Sequence, residues 1–283
     1  MIILSHFQAS EILDALNQGK KEVISSIDLG KNEAKVKLGK GKVIFYNEDK
    51  TEEIYEKDLQ YIIKNDKICF ILRDGNLNKI QLFSAETNNF YKIYPTSLNT
   101  APTIEISGIR MHNVKNTNPW KDAKDKLSLI KPTIGRVLDT CMGLGYTSIN
   151  AAKTADFVET FEKDSNIIEI ASYNPWSKDL FNNDKIKILK GDIFELITKL
   201  KDNSFDRVIH DPPRFSLSGS LYSEEFYKQL YRVMKPKAKM FHYTGNPGKL
   251  RRGKDIVAGV IKRLNNAGFR NVKRRYNGVV ADK

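Results

Sequence analysis

The chain is poor in the residues that build metal centres and covalent staples. Among its 283 residues are two cysteines, Cys69 and Cys141, and four histidines. That leaves no metal-ligand array and no disulfide framework to read. Long apolar runs are absent as well. A stretch such as Ile68-Cys69-Phe70-Ile71-Leu72 falls far short of the roughly 20 residues that cross a bilayer. The opening Met1-Ile2-Ile3-Leu4-Ser5-His6 has neither a basic lead-in nor an extended apolar stretch, so no secretory signal is read and a cytoplasmic protein is expected. Acids are scarce in one place. From Lys228 to Lys283 there are 16 Lys and Arg against two acids, Asp255 and Asp282, whereas the preceding 227 residues hold 31 bases and 32 acids. The formal net charge of +13 therefore sits in the last fifth of the chain. Clustered bases attract phosphates and release counterions, which makes RNA the expected partner and no membrane.

What is present is the make-up of a folded globular protein. Hydrophobic residues at 40% and charged ones at 29% exclude wholesale disorder and fibrous repeats. At roughly 150 residues per domain the length predicts two. Residues 1–100 read as a β-rich module: helical spacing over 8–17, then strand-like runs at 23–29, 34–38, 43–46, 67–72 and 79–83, with Asp74-Gly75-Asn76 as hairpin chemistry. Residues 101–130 form a Pro- and Asn-bearing connector, expected to cover a cofactor site. From 131 to 283 strands alternate with helices, which predicts a mostly parallel sheet with helices on both faces. The last two strands, around Asn277-Gly278, are expected to pair as an antiparallel edge hairpin.

Ligands of such sheets bind beyond the carboxyl ends of the strands, and four ends here carry matching chemistry. Val137-Leu138-Asp139 runs into Thr140-Cys141-Met142-Gly143-Leu144-Gly145, an acid followed by a tight glycine turn that opens a helix. Glu162 ends the next strand, where a carboxylate takes both ribose hydroxyls of a nucleoside. Gly191-Asp192 follows the third, with an acid placed to accept from an adenine amino group. Asp211-Pro212-Pro213 ends the fourth: two prolines remove backbone donors and stiffen the corner, leaving acceptors aimed at the N–H bonds of an amine. A single acid at a strand end is more often a helix cap. Three in register point to a nucleoside site.

On these residues the segment from about Gly108 onward resembles class I S-adenosylmethionine-dependent methyltransferases. It looks most like an archaeal family marked by Leu-Asp-Thr-Cys-Met-Gly-Leu-Gly-Tyr-Thr (138–147) and His-Asp-Pro-Pro-Arg-Phe-Ser (210–216). The resemblance implies a Rossmann-like α/β domain with a seven-stranded sheet, preceded by the small β-rich domain, and S-adenosylmethionine as cofactor. It implies that Asp139, Gly143 and Gly145 border the methionine moiety, Glu162 the ribose and Asp192 the adenine, with Cys141 replacing the usual first glycine. Asp211 lies beside the sulfonium. Met111-His112 falls where such enzymes place a covering segment, or simply packs.

The expected reaction is methylation of a nitrogen, exocyclic or ring, on tRNA or rRNA. Asp211, Pro212 and Pro213 hold the acceptor, His242 takes its proton, and Arg214 with Lys249, Arg251 and Arg252 contacts phosphate. Arg214 stands where related loops carry an aromatic. Covalent pyrimidine methylation is not expected, because 240–245 contains no cysteine. A dinucleotide site lacks its third glycine. Three alternatives stay open: a small-molecule methyltransferase with an anionic substrate on Arg214, an aminopropyltransferase of the polyamine-synthase kind, and a non-catalytic RNA-binding protein. Against aminopropyl transfer stand a different glycine-rich loop and a cationic substrate set beside many Lys and Arg.

Overall fold

The structure is a computed structural model and describes residues 1–47, 50–245 and 255–283. The chain divides into two compact units. The first comprises Met1–Lys121 with Asn166–Lys178, the second Asp122–Ser165 with Asp179–Lys283. The break thus falls inside the stretch read as a connector. That stretch is structured, with strands Thr103–Ile106 and Ile109–Arg110 and helix Pro119–Ser128.

The first unit is β-rich. Glu22–Ser25, Ala34–Gly39, Lys42–Asn47 and Lys50–Tyr55 form an antiparallel meander. Two further antiparallel sheets, of three and four strands, complete it. Helices His6–Asn17 and Glu56–Lys64 bury Ile12, Leu59 and Ile62 against Val36, Val43, Phe45 and Phe70. Ser5 and Gln8 close a capping box at the start of the first helix, two residues earlier than the apolar spacing predicts. The hairpin at Asp74-Gly75 forms, both residues at positive φ. The run 79–83 is not one strand. It breaks at Ile80 into Asn76–Lys79 and Gln81–Ser84, which belong to different sheets.

The second unit is the expected Rossmann-like α/β layer. Its seven strands lie in the order Ile186–Lys190, Phe157–Glu162, Arg136–Asp139, Phe205–His210, Met234–Tyr243, Gly278–Asp282, Arg270–Arg275. The first five are parallel, and the last two pair antiparallel as the edge hairpin. The central strands each carry a buried apolar pair because helices cover both faces: Val137 and Leu138, Val208 and Ile209, Met240 and Phe241. Helix Glu224–Val233 turns Phe226, Tyr227 and Leu230 onto this sheet. No described helix is long and apolar enough to cross a membrane.

Candidate active site

Strand order reverses between Arg136–Asp139 and Phe205–His210, and the crevice beyond their carboxyl ends is where a doubly wound sheet binds its ligand. The glycine turn begins there. Gly143 (φ 54°) and Gly145 (φ 75°) both take the left-handed conformation. A Cβ on Gly145 would stand 2.5 Å from the Leu180 side chain, so the turn has no room for one. Asp139 is buried and knits the turn to helix Tyr146–Ala152. Its carboxylate accepts from Thr147 Oγ1 (2.9 Å), Ser148 Oγ (2.5 Å) and, more weakly, the Cys141 amide (3.4 Å). Burial pushes its carboxyl up to about 6 despite those donors.

Glu162 reaches across from the neighbouring strand. Oε2 accepts from the Gly143 amide at 3.1 Å and Oε1 from the Asp164 amide at 3.0 Å. Burial outweighs both and pushes it up to about 7. Asp192 caps helix Ile193–Leu196 through the Phe194 amide (2.9 Å) and pairs with Lys163 Nζ (2.9 Å). The three acids read from the strand ends therefore line three adjacent strands. Asp192 in addition caps its own helix.

Asp211 follows the Phe205–His210 strand, and its surroundings were not legible beforehand. Its Oδ2 accepts from Lys126 Nζ at 2.6 Å, and the same ammonium lies 2.7 Å from Asp122 Oδ2 and 5.0 Å from the Tyr243 ring centroid. Asp122 in turn accepts from Tyr276 Oη (2.9 Å) and Asn277 Nδ2 (3.2 Å). The Lys126 side chain is 6% exposed and that of Asp122 2%, whereas Asp211 keeps 21%. Burial raises the Asp211 carboxyl, and the Lys126 charge opposes that rise. The signal that could have found this network is the pairing of Asp122 with Lys126 at i and i+4 beside the apolar face of Ala123 and Leu127.

The corner itself is pinned. Pro212 is buried and Pro213 exposed, and the Pro213 carbonyl accepts from Tyr222 Oη at 3.0 Å. Thr140 of the glycine turn donates to His210 Nδ1 (2.7 Å), while His210 Nε2 faces the Leu221 carbonyl (2.9 Å) and so carries the proton. Burial pulls His210 down to about 4.

The structure does not bring His242 to the crevice. It is fully buried, with Nε2 on Tyr227 Oη (2.8 Å) and Nδ1 on the His210 carbonyl (3.4 Å). Burial holds it far below the usual imidazole range. It is packed as a core side chain, not in the crevice where the sequence had set it. Arg214 and Phe215 are exposed, Phe215 standing edge-on to Tyr222. Cys141 is partly buried, and burial raises its thiol well above the ordinary value. Lys249, Arg251 and Arg252 lie outside the described residues. In the first unit, His112 bonds Thr103 and Trp176 donates to the Leu29 carbonyl, each a packing role. Among the described residues no cluster of His, Cys, Asp and Glu is placed to hold a metal.

A profile of the spermine/spermidine synthase domain matches residues 146–275. The uncharacterized protein MJ1233 of Methanocaldococcus jannaschii is 44% identical over 292 residues, spanning 100% of this chain and 97% of its own length. Polyamine aminopropyltransferase 2 of Streptomyces coelicolor is 29% identical over 94 residues, which is 31% of this chain and 17% of that protein. Among solved structures, spermidine synthase in complex with the transition-state analogue AdoDATO superposes with a TM-score of 0.59 at 19% identity, covering 72% of each chain. The chain belongs to the same family as MJ1233. Its domain match falls on polyamine synthases, where the sequence motifs had pointed to methyl transfer.

Proposed function

We propose that this protein transfers an aminopropyl group from decarboxylated S-adenosylmethionine to an amine nitrogen of a di- or polyamine. The observation that carries this reading is the charge at the strand ends. The acids Asp139, Glu162, Asp192 and Asp211 stand there, with Asp122 beside Asp211 on helix Pro119–Ser128, and the ammonium groups set among them, Lys126 and Lys163, are each paired to an acid. Such a site suits a donor that carries an ammonium and no carboxylate, and an acceptor that is a polycation. Part of the basic excess that told against a cationic substrate, Arg270, Lys273 and Arg275, lies on the outermost strand, separated from Phe205–His210 by two strands. The domain match supports the same reading.

The donor supplies an electrophilic carbon bound to a sulfonium sulfur; as the amine nitrogen bonds to that carbon the carbon–sulfur bond breaks, and the sulfur leaves with the electron pair as a neutral thioether. The chain's own residues bind and orient. Glu162 has lone pairs left for ribose hydroxyls, and the glycine turn lets backbone approach the ligand closely. Asp211 Oδ1, the carboxylate oxygen that Lys126 does not hold, accepts from an amine N–H, which turns the nitrogen lone pair toward the electrophile and gives the proton somewhere to go. Calorimetry with decarboxylated S-adenosylmethionine and with S-adenosylmethionine tests the donor, and mass spectrometry of putrescine or spermidine incubated with enzyme and donor tests the product. Heat with the decarboxylated donor and an aminopropylated amine are expected. Heat with S-adenosylmethionine alone would return the protein to methyl transfer, and heat with neither would remove the sulfonium reading.

A further inference from the structure

Lys126 lies outside the residues matched by the synthase profile. It comes from helix Pro119–Ser128, 85 residues before the carboxylate it holds. We propose that Lys126 is a positioning residue for the transfer step: its buried ammonium fixes Asp211 in one orientation as a carboxylate with a single free oxygen, and Asp122 holds Lys126 in place. The inference rests on the reading above for the identity of the reaction, but not for the arrangement of charges.

Three features carry it. First, the geometry is asymmetric. Lys126 holds only Oδ2 of Asp211, and Oδ1 accepts no hydrogen bond among the described residues. Asp211 is thus tethered on one side and open on the other, at 21% exposure. Second, Lys126 cannot turn away to solvent cheaply. Its ammonium is enclosed by Asp122, Asp211 and the face of Tyr243, and a buried ammonium leaving two carboxylates would strand all three charges. Third, Asp122 is itself braced, by Tyr276 and Asn277 at the turn of the edge hairpin. The orientation of Asp211 therefore traces to the far end of the sheet through a continuous set of charge-assisted bonds.

The charged and titratable groups around Asp211 act in opposite directions. Lys126 favours its ionised form. Asp122 on the same helix, and Asp139 on the adjacent strand, disfavour it. Tyr222 and Tyr243 are held neutral by burial. Removing the ammonium and removing its acidic anchor must therefore move Asp211 in opposite senses, which a purely structural role for the cluster does not require.

The experiment follows the Asp211 carboxyl carbon by NMR in ¹³C-aspartate-labelled full-length protein, with the resonance assigned by Asp211→Asn. Lys126→Met is expected to raise the Asp211 midpoint by about one pH unit or more. Lys126→Arg should hold it near the wild-type value, and Asp122→Asn should lower it. In turnover with decarboxylated S-adenosylmethionine and putrescine, the acidic limb of kcat/KM should follow the same order, with donor affinity by calorimetry unchanged within about threefold and activity partly restored in Lys126→Arg. If Lys126→Met does not fold, Asp122→Asn and Lys126→Arg still decide the matter. An Asp211 midpoint that stays put in all folded variants overturns the proposal. Shifted midpoints in a protein that transfers nothing to amines would leave the positioning role standing and remove the proposed reaction.

Discussion

The carboxylate of Glu162 accepts a hydrogen bond from the amide of Gly143 at 3.1 Å, so the end of one strand is tied to the glycine turn that follows its neighbour. The bond sets the wall of the crevice before any ligand arrives. It also places a partly protonated acid where ribose hydroxyls would donate.

Binding of an adenosyl ligand should therefore release a proton. Glu162 sits at about 7 in the free protein, and hydroxyl donors favour the ionised form. Affinity should fall by up to tenfold for each pH unit below 7, and calorimetric enthalpies should depend on the ionisation heat of the buffer. Glu162→Gln should bind about 10- to 100-fold more weakly at pH 8, from the loss of charge-assisted hydrogen bonds, and with little buffer dependence. Equal enthalpies in phosphate and Tris for the wild type would contradict this.

Stability should carry two opposed pH linkages. Glu162 and Asp139 are raised to about 7 and about 6, so their protonated forms favour the fold. Their contribution is complete below the unfolded values near 4 and is lost as pH climbs through 6 to 7. His210, lowered to about 4, and His242, lowered further, act the other way. The stability they contribute is present above about 6.5 and is lost as pH falls below it. The wild-type Tm should accordingly change little between pH 7 and 5. In Glu162→Gln the effect of the histidines is left less opposed, and Tm should drop across that range as the unfolding free energy falls more steeply, by as much as about 1.4 kcal/mol per pH unit. Parallel Tm curves for the two proteins would refute the assignment.

Asp211→Ala should leave donor affinity within a few fold and cost on the order of 10²-fold in kcat, since the acceptor loses the group that orients it. Single-turnover rates with saturating donor separate the two effects. Near-normal turnover would place the chemistry elsewhere.

Tyr222→Phe removes the donor to the Pro213 carbonyl. A net loss of about 1 kcal/mol in stability is expected. The freed corner should lower kcat by roughly tenfold while KM for the donor stays level, because positioning, not binding, is disturbed. Tm and steady-state kinetics on the same preparation check both.

The parts of this molecule written locally were legible in its sequence. Gly143 and Gly145 announce a turn only glycine takes easily, and Asp139, Glu162 and Asp192 close apolar runs whose length marks buried parallel strands. The mostly parallel sheet follows from the βα alternation, and the edge hairpin from Asn277-Gly278. What stayed hidden depends on distant packing. Asp122 and Lys126 spaced four apart look like a solvated helix pair until Asp211, far along the chain, is folded against them. His242 misled for a related reason. In a strand covered on both faces, Met240, Phe241 and His242 are all buried, so alternation no longer tells which side chain meets the crevice. The break at Ile80 was invisible because a continuous strand-like run does not record a change of sheet.

The strand Arg270–Arg275 ends the sheet, and among the described residues one of its hydrogen-bonding edges pairs with no strand, a natural template for another chain. Four of its six residues, Arg270, Lys273, Arg274 and Arg275, are basic. Two molecules meeting edge to edge would press like charges together along the whole strand. Repulsion between these bases works against the fusion of two such edges.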